Sequence, residues 1–235
     1  MPQTMTKPAP EAAIKRQTVT SAVADALRRR IIAGEYPGGH QIRQEAVAAE
    51  LGVSRIPVRE ALVQLESEGL VVIHTHRGAV VSELDIEDAL DIFDSRILLE
   101  PFIIKRAIER AGEAEIRNVQ AALAQYERAL QQGADPAELS RLNWALHIAM
   151  LAPAGRPRTL AVLQSLYGTA DRYMRLQIKG KAAQSRAMED HDALVAAYVA
   201  RDAVAAARLL KEHIARARED VIAGLKQTPQ GASAS

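Results

Sequence analysis

The amino-acid sequence predicts a mainly α protein, with two short helices and a hairpin in its first third and an all-helical bundle after them. Three observations carry that reading. Between residues 45 and 81 the apolar positions change from helical spacing to two short strand-like runs around Arg77-Gly78. From Ile86 onward the periodicity is helical, broken only at Gly, Pro and Asp positions. Hydrophobic residues make up 48% of the 235-residue chain but aromatics only 3%, as expected of Leu-, Ala- and Val-packed helices.

Residues 1–18 are rich in Pro, Thr, Ala and Lys without periodicity, and read as a flexible N-terminal arm. From about Thr20 a helix carries Val23, Ala26, Leu27, Ile31 and Ile32 on one side, with Arg28–Arg30 straddling the exposed face. The loop Gly34–Gly39 ends it. In the next helix Ala46, Val47 and Leu51 can share one face, and Gly52 stands where that helix stops. Ser54 is an N-cap for the following helix, and Pro57 falls in its first turn, where no intrahelical N–H is needed. Val58, Ala61, Leu62 and Leu65 give that helix its core stripe. Gly69 ends it, and Leu70–Ile73 pairs with Ala79–Val81 across the Arg77-Gly78 turn.

Two short helices about a glycine turn make a helix-turn-helix, whose second helix enters the DNA major groove with its N-terminal residues foremost. Arg55 and Arg59, four apart near that N-terminus, stand where base-reading donors belong. Arg43 and Arg77 suit backbone contacts, the latter from a wing, and Ser54 and Gly78 complete the candidate DNA-contacting set. An isolated exposed arginine pair more often merely solvates a helix. The net charge of +1 says nothing about nucleic acid. What counts is the clustering of Arg28, Arg29, Arg30, Arg43, Arg55, Arg59 and Arg77 in one module.

Ser82–Asp85 reads as a linker, dividing a module at 19–82 from a helical domain at 83–226. Candidate helices there run over roughly 85–110, 113–132, 136–151, 156–178, 183–200 and 202–226. Asp135 as N-cap, Pro136 at the first position and Glu138 two residues on make a well-specified helix start. Residues 227–235 form a small, polar, disordered tail. No apolar run of about 18 residues suggests a membrane span, and the N-terminus lacks the apolar core of a secretory signal. With no cysteine, disulfides and thiolate chemistry are excluded, and a cytoplasmic protein is the simplest expectation.

Three of the six histidines stand out. Asn143 and His147 lie four apart on one helix, His191 and His213 fall on later helices, and each sits among apolar residues. A bundle can bring such residues together inward, and imidazole suits zinc, nickel, copper or iron. Hydrogen-bonded core histidines are the plainer alternative. His74 and His76 alternate onto one face of the wing strands, where phosphate is nearer than any metal. Tyr167, Arg172, Tyr173 and Arg175 cluster on one helix and either line a cavity or pack and solvate it.

The string LGVSRIPVREALVQLESEGLV, with RGAVV behind it, closely resembles the winged helix-turn-helix of the GntR family of bacterial transcription regulators, over about residues 20–82. SRILLEP (Ser95–Pro101), LNWALHIAM (Leu142–Met150), MEDHDALVAAYVARD (Met188–Asp202) and ARLLKEHI (Ala207–Ile214) resemble, more loosely, the FCD-type effector domain of its FadR subfamily. The resemblance implies a ligand-responsive regulator, a repressor by default, that binds a palindromic operator in double-stranded DNA as a homodimer. It also implies a divalent transition metal, zinc or nickel, on Asn143, His147, His191 and His213, with Asn143 in place of the commoner Asp. Arg96 lies in the family's arginine position, where it either clamps a carboxylate or forms a salt bridge with Glu100. A metal, Arg96, Asn143 and Tyr173 together imply a small organic acid as effector. The competing readings are a metal-dependent enzyme, with Asp190 beside His191 the only candidate base, and a non-specific DNA-packaging protein.

Overall fold

In the computed structural model, residues 18–75, 77–177 and 181–227 are described. Residues 1–17 of the expected arm (1–18), His76 and the tail beyond Gln227 therefore lie outside the described residues, as does the side chain of Arg175, whereas Thr18 is the N-cap of the first helix. The chain runs α1 (Val19–Ala33), β1 (Gln41–Ile42), α2 (Gln44–Leu51), α3 (Arg55–Ser67), β2 (Val71–His74) and β3 (Gly78–Val81). It continues with α4 (Ile86–Arg110), α5 (Glu113–Gln131), α6 (Pro136–Leu151), a 3-10 turn (Ala152–Ala154), α7 (Pro157–Gln177), α8 (Lys181–Val199) and α9 (Ala203–Gln227).

The first six elements form a winged helix-turn-helix around one apolar cluster that includes Leu27, Val47, Val58, Leu62, Leu65 and Val81. Gly52 takes a left-handed conformation (φ 64°) that only a residue without Cβ adopts cheaply, and it turns the chain between α2 and α3. Ser54 is the N-cap residue of α3 but makes no side-chain capping bond, so the boundary agrees with the sequence reading and its mechanism does not. The core face of α2 is Val47 and Ala48 with Leu51 half-buried, whereas Ala46 is exposed; on α1, Ala24 rather than Ala26 is buried. The wing hairpin gains a third strand that the sequence did not signal. β1 pairs antiparallel with β3 (Gln41↔Val80, Ile42↔Ala79), giving the order β1-β3-β2. Two residues are too few for alternation to be legible.

Arg28 and Arg30 do not join an open basic face. Arg28 bonds Glu68 through Nε (2.7 Å) and Nη2 (2.6 Å) and also pairs with Asp25, tying α1 to the end of α3. Arg30 bonds the Tyr36 hydroxyl (3.0 Å) and Glu50 Oε2 (2.9 Å).

The later helices enclose a second apolar cluster. α4 is its axis: Ala89, Ile92, Phe93, Arg96, Glu100, Ile103, Ile104, Ala107 and Ile108 all face inward at helical spacing, chiefly against α9. Asp135 accepts from the Glu138 amide (2.9 Å), so the expected start of α6 holds, and Glu138 itself turns to Arg141. Arg201 (φ 59°) closes α8 and donates to the carbonyls of Ile108 (3.3 Å) and Ala111 (2.8 Å), capping the end of α4. α7 spans both parts. Its Thr169 hydroxyl donates to the Glu68 carbonyl (2.8 Å), and Arg172 Nη2 donates to the Ser82 carbonyl (2.6 Å).

Candidate functional sites

The first two turns of α3 present Arg55, Ile56 and Arg59 to solvent, because Val58, Ala61, Leu62 and Leu65 take the buried face. Arg55 makes a 3.0 Å surface ion pair with Glu45 of α2. Arg43 caps the start of α2 without a side-chain bond, and Arg77 lies at the wing turn, its carbonyl held by Gln41 Nε2. Gly78 has φ 71°, the left-handed value the turn requires. Ile56 is 63% exposed between the two arginines and was missed in the sequence. The available signal was that it falls outside the core stripe of an otherwise strongly patterned helix.

The second site lies inside the bundle. His147 on α6, His191 on α8 and His213 on α9 are all buried, and one ligand nitrogen from each lies within 4.8 Å of the others. Ring centroids are 5.8 Å apart for His147–His191, 5.5 Å for His147–His213 and 4.7 Å for His191–His213. Asn143, one turn before His147, is buried and lines a small cavity with Tyr126, Met174 and His213. His147 Nε2, both ring nitrogens of His191 and Asn143 Nδ2 are buried without a hydrogen-bond partner.

Leaving such groups unpaired costs about 1–3 kcal/mol each, so this constellation could hold a metal ion. Neutral imidazoles from three helices with an amide beside them match what zinc or nickel accepts. Burial drives the pKa of His191 well below its ordinary value, with His213 and His147 adding to the effect. Burial also lowers that of His147, against the opposing pull of Glu100. Both rings are therefore neutral near pH 7, the form that binds metal.

Arg96 is fully buried and forms the salt bridge that was its structural alternative: Nε donates to Glu100 Oε1 at 2.7 Å. Glu100 Oε2 meets His147 Nδ1 at 2.9 Å. Burial opposes the Glu100 charge, but Arg96 and His147 outweigh it and hold its pKa at about 2. The Arg96 guanidinium lies 4.8 Å from the Trp144 ring and 5.2 Å from that of Tyr167, and those rings stack at 4.5 Å. Arg96 Nη1 and Trp144 Nε1 remain buried without a partner, so Arg96 keeps a donor beside its salt bridge, and the Tyr167 hydroxyl lies next to Glu100.

Tyr173, expected beside the effector, is committed elsewhere. Its hydroxyl donates to Asp88 (2.6 Å) and accepts from the Asp85 amide (3.2 Å) at the start of α4. A buried hydroxyl takes the nearest partners, and here they are those of the linker. Its neighbour Met174 lines the cavity instead. Asp190 serves His213 (3.2 Å) and Arg216 (2.6 Å) rather than its sequence neighbour His191.

Comparison with known proteins agrees with both halves. Residues 19–81 match the family described as bacterial regulatory proteins, gntR family, and residues 91–216 match the FCD domain. The chain is 28% identical over 200 residues to the HTH-type transcriptional repressor GlaR of Escherichia coli, covering 80% of this chain and 89% of that protein. A GntR-family transcriptional regulator from Pseudomonas syringae pv. tomato is 31% identical, covering 88% of this chain and 86% of that one, with a TM-score of 0.52. A regulator structure from a Rhodococcus species superposes with a TM-score of 0.74 at 23% identity, covering 87% of this chain and 97% of that one.

Proposed function

The chain belongs to the gntR family of bacterial transcription regulators and carries that family's FCD domain, and we propose that it represses as a homodimer on a palindromic operator until a small carboxylate binds a metal in the helical domain. Membership in a family of DNA-binding regulators disfavours the enzyme reading. The sensing half rests on one observation, the convergence of His147, His191 and His213 with unpartnered buried nitrogens. Those three and Asn143 would hold zinc or nickel, which as a Lewis acid would attract the effector's carboxylate. Arg96 Nη1, Trp144 Nε1 and the Tyr167 hydroxyl would take its remaining oxygens.

On the DNA side, Arg55 and Arg59 would read base edges, and Arg43, Arg77, Ser54 and Gly78 would set the backbone register. Two recognition helices would then address half-sites related by the dimer axis. Leu98 and Phe102, one turn apart on α4 and 75% and 68% exposed, support the homodimer, because a second copy would cover them. Repression is supported by relatives whose names describe repressors. Among the described residues no helix is long and apolar enough to cross a membrane, and a protein that acts on operator DNA would work in the cytoplasm.

α7 supplies the route between the sites. One face carries Tyr167 and Met174 to the cavity region, and the other carries Thr169, Arg172 and Tyr173 to the winged module and linker. An effector shifts the population only by binding one arrangement of that helix more tightly than the other. Footprinting of the promoter regions adjoining the gene, with the metal-loaded protein, tests the reading. Protection of one inverted repeat supports it, and uniform salt-sensitive binding would refute it.

A further inference from the structure

The three histidines are not equivalent, and the difference lies in the carboxylates behind them. His147 Nδ1 faces Glu100 Oε2 at 2.9 Å, and Glu100 is held in turn by Arg96 Nε at 2.7 Å. His213 Nδ1 faces Asp190 Oδ2 at 3.2 Å, and Asp190 is held in turn by Arg216 at 2.6 and 3.1 Å. The two arrangements repeat on different helices: arginine, carboxylate, then imidazole Nδ1. His191 has no such partner. Both of its nitrogens are without a hydrogen-bond partner, and its ring is held only by ring contacts: the edge of Tyr126 at 5.1 Å, His213 at 4.7 Å and His147 at 5.8 Å among the described residues.

We infer that Glu100 and Asp190 are positioning residues for a metal centre, each fixing one imidazole as the Nδ1–H tautomer with Nε2 turned inward, while His191 is left to be ordered by the ion. The inference rests on the metal reading of the histidine cluster. Its physical basis is general. A carboxylate accepting the Nδ1 proton fixes the tautomer, locks the ring and makes the other nitrogen a better donor. Arg96 and Arg216 bond to these carboxylates in turn, which holds each of them in place against its imidazole. Asp190 thereby receives a role that its place next to His191 in the sequence concealed.

The test is metal affinity together with histidine tautomers. Zinc and cobalt affinities are measured by chelator competition for the full chain, for E100Q and D190N, and for D94N as a surface-pair control. Losses of about 10- to 100-fold in E100Q and D190N, with D94N unchanged, are expected. In the metal-free wild type, long-range proton–nitrogen correlation spectra should show His147 and His213 protonated at Nδ1 and His191 as a mixture. E100Q should remove the preference at His147 alone. D190N carries the test if E100Q fails to fold, since Asp190 lies near the surface. Undiminished affinity in a folded D190N, or an Nε2–H tautomer at His147 and His213, would overturn the positioning role while leaving the metal centre standing. A folded wild type that binds neither ion would overturn both.

Discussion

The Thr169 hydroxyl on α7 donates to the main-chain carbonyl of Glu68 at 2.8 Å, joining the helical domain to the residue that ends the recognition helix. Glu68 also receives both Nε and Nη2 of Arg28, so the same residue braces α1 against α3. Two residues further along α7 from Arg172's neighbour Asp171, Tyr173 grips Asp88 and the Asp85 amide. Whatever moves α7 therefore moves the carbonyl, the linker and the start of α4 together.

Tyr173→Phe removes one hydroxyl and leaves the Asp85 amide and Asp88 without it. A loss of about 1–2 kcal/mol is expected in chemical denaturation. Thr169→Val, read by operator-binding titrations with and without effector, should weaken the effector response more than DNA affinity itself. An unchanged response in both variants would remove α7 as the route.

Arg59→Ala should cost about 1–3 kcal/mol of operator affinity while leaving the dimer intact. Ile56 adds a second probe of the same face. Its exposed side chain suits a thymine methyl, so Ile56→Ala should weaken binding to the native operator and not to one carrying uracil at that step. Fluorescence anisotropy against both duplexes measures this directly. Equal losses on both would place Ile56 elsewhere on the DNA.

Leu98→Asp puts a charge into the exposed apolar pair on α4. Sedimentation velocity at micromolar concentration should show a folded monomer in place of a dimer, with inverted-repeat binding weakened and half-site binding retained. A dimer that survives both Leu98→Asp and Phe102→Asp would put the interface elsewhere.

The pH dependence has a definite sign. His147 and His191 have folded pKa values depressed below the ordinary 6.5, chiefly by burial. Below pH 6.5 the unfolded chain therefore binds more protons than the folded one, and stability rises with pH up to about that value and is level above it. Metal-free protein should lose up to about 1.4 kcal/mol per pH unit for each histidine between pH 6.5 and 5. Glu100, with its pKa depressed to about 2, contributes stability that is fully present above 4.5 and is lost as pH falls from there toward 2. Urea midpoints that stay constant from pH 7.5 to 5 would contradict the burial of neutral imidazoles.

Much of this architecture was legible in the sequence because its signals are local. Gly52, the Asp135-Pro136 start and the stripe Val58–Leu65 act within a few residues, and the helix boundaries from α4 to α9 follow the Gly, Pro and Asp breaks closely. The positions of His147, His191 and His213 were legible from helical spacing and resemblance, and the structure brings them together. What the sequence hid was pairing across space. Arg28 and Arg30 read as open cations and are neutralised by Glu68 and Glu50, 40 and 20 residues away. Tyr173 reads as a cavity residue and bonds Asp88, 85 residues away. Glu100 was visible as a partner for Arg96, but its second bond to His147 needs the packing of α4 against α6.

The most direct measurement is an operator-binding titration with a panel of small carboxylates, run on zinc- or nickel-loaded protein and on chelator-stripped protein. One acid should release the DNA from the loaded protein at concentrations that leave the stripped protein bound. Release that is equal in both states would contradict the metal-centred site and move recognition to Arg96, Trp144 and Tyr167 alone.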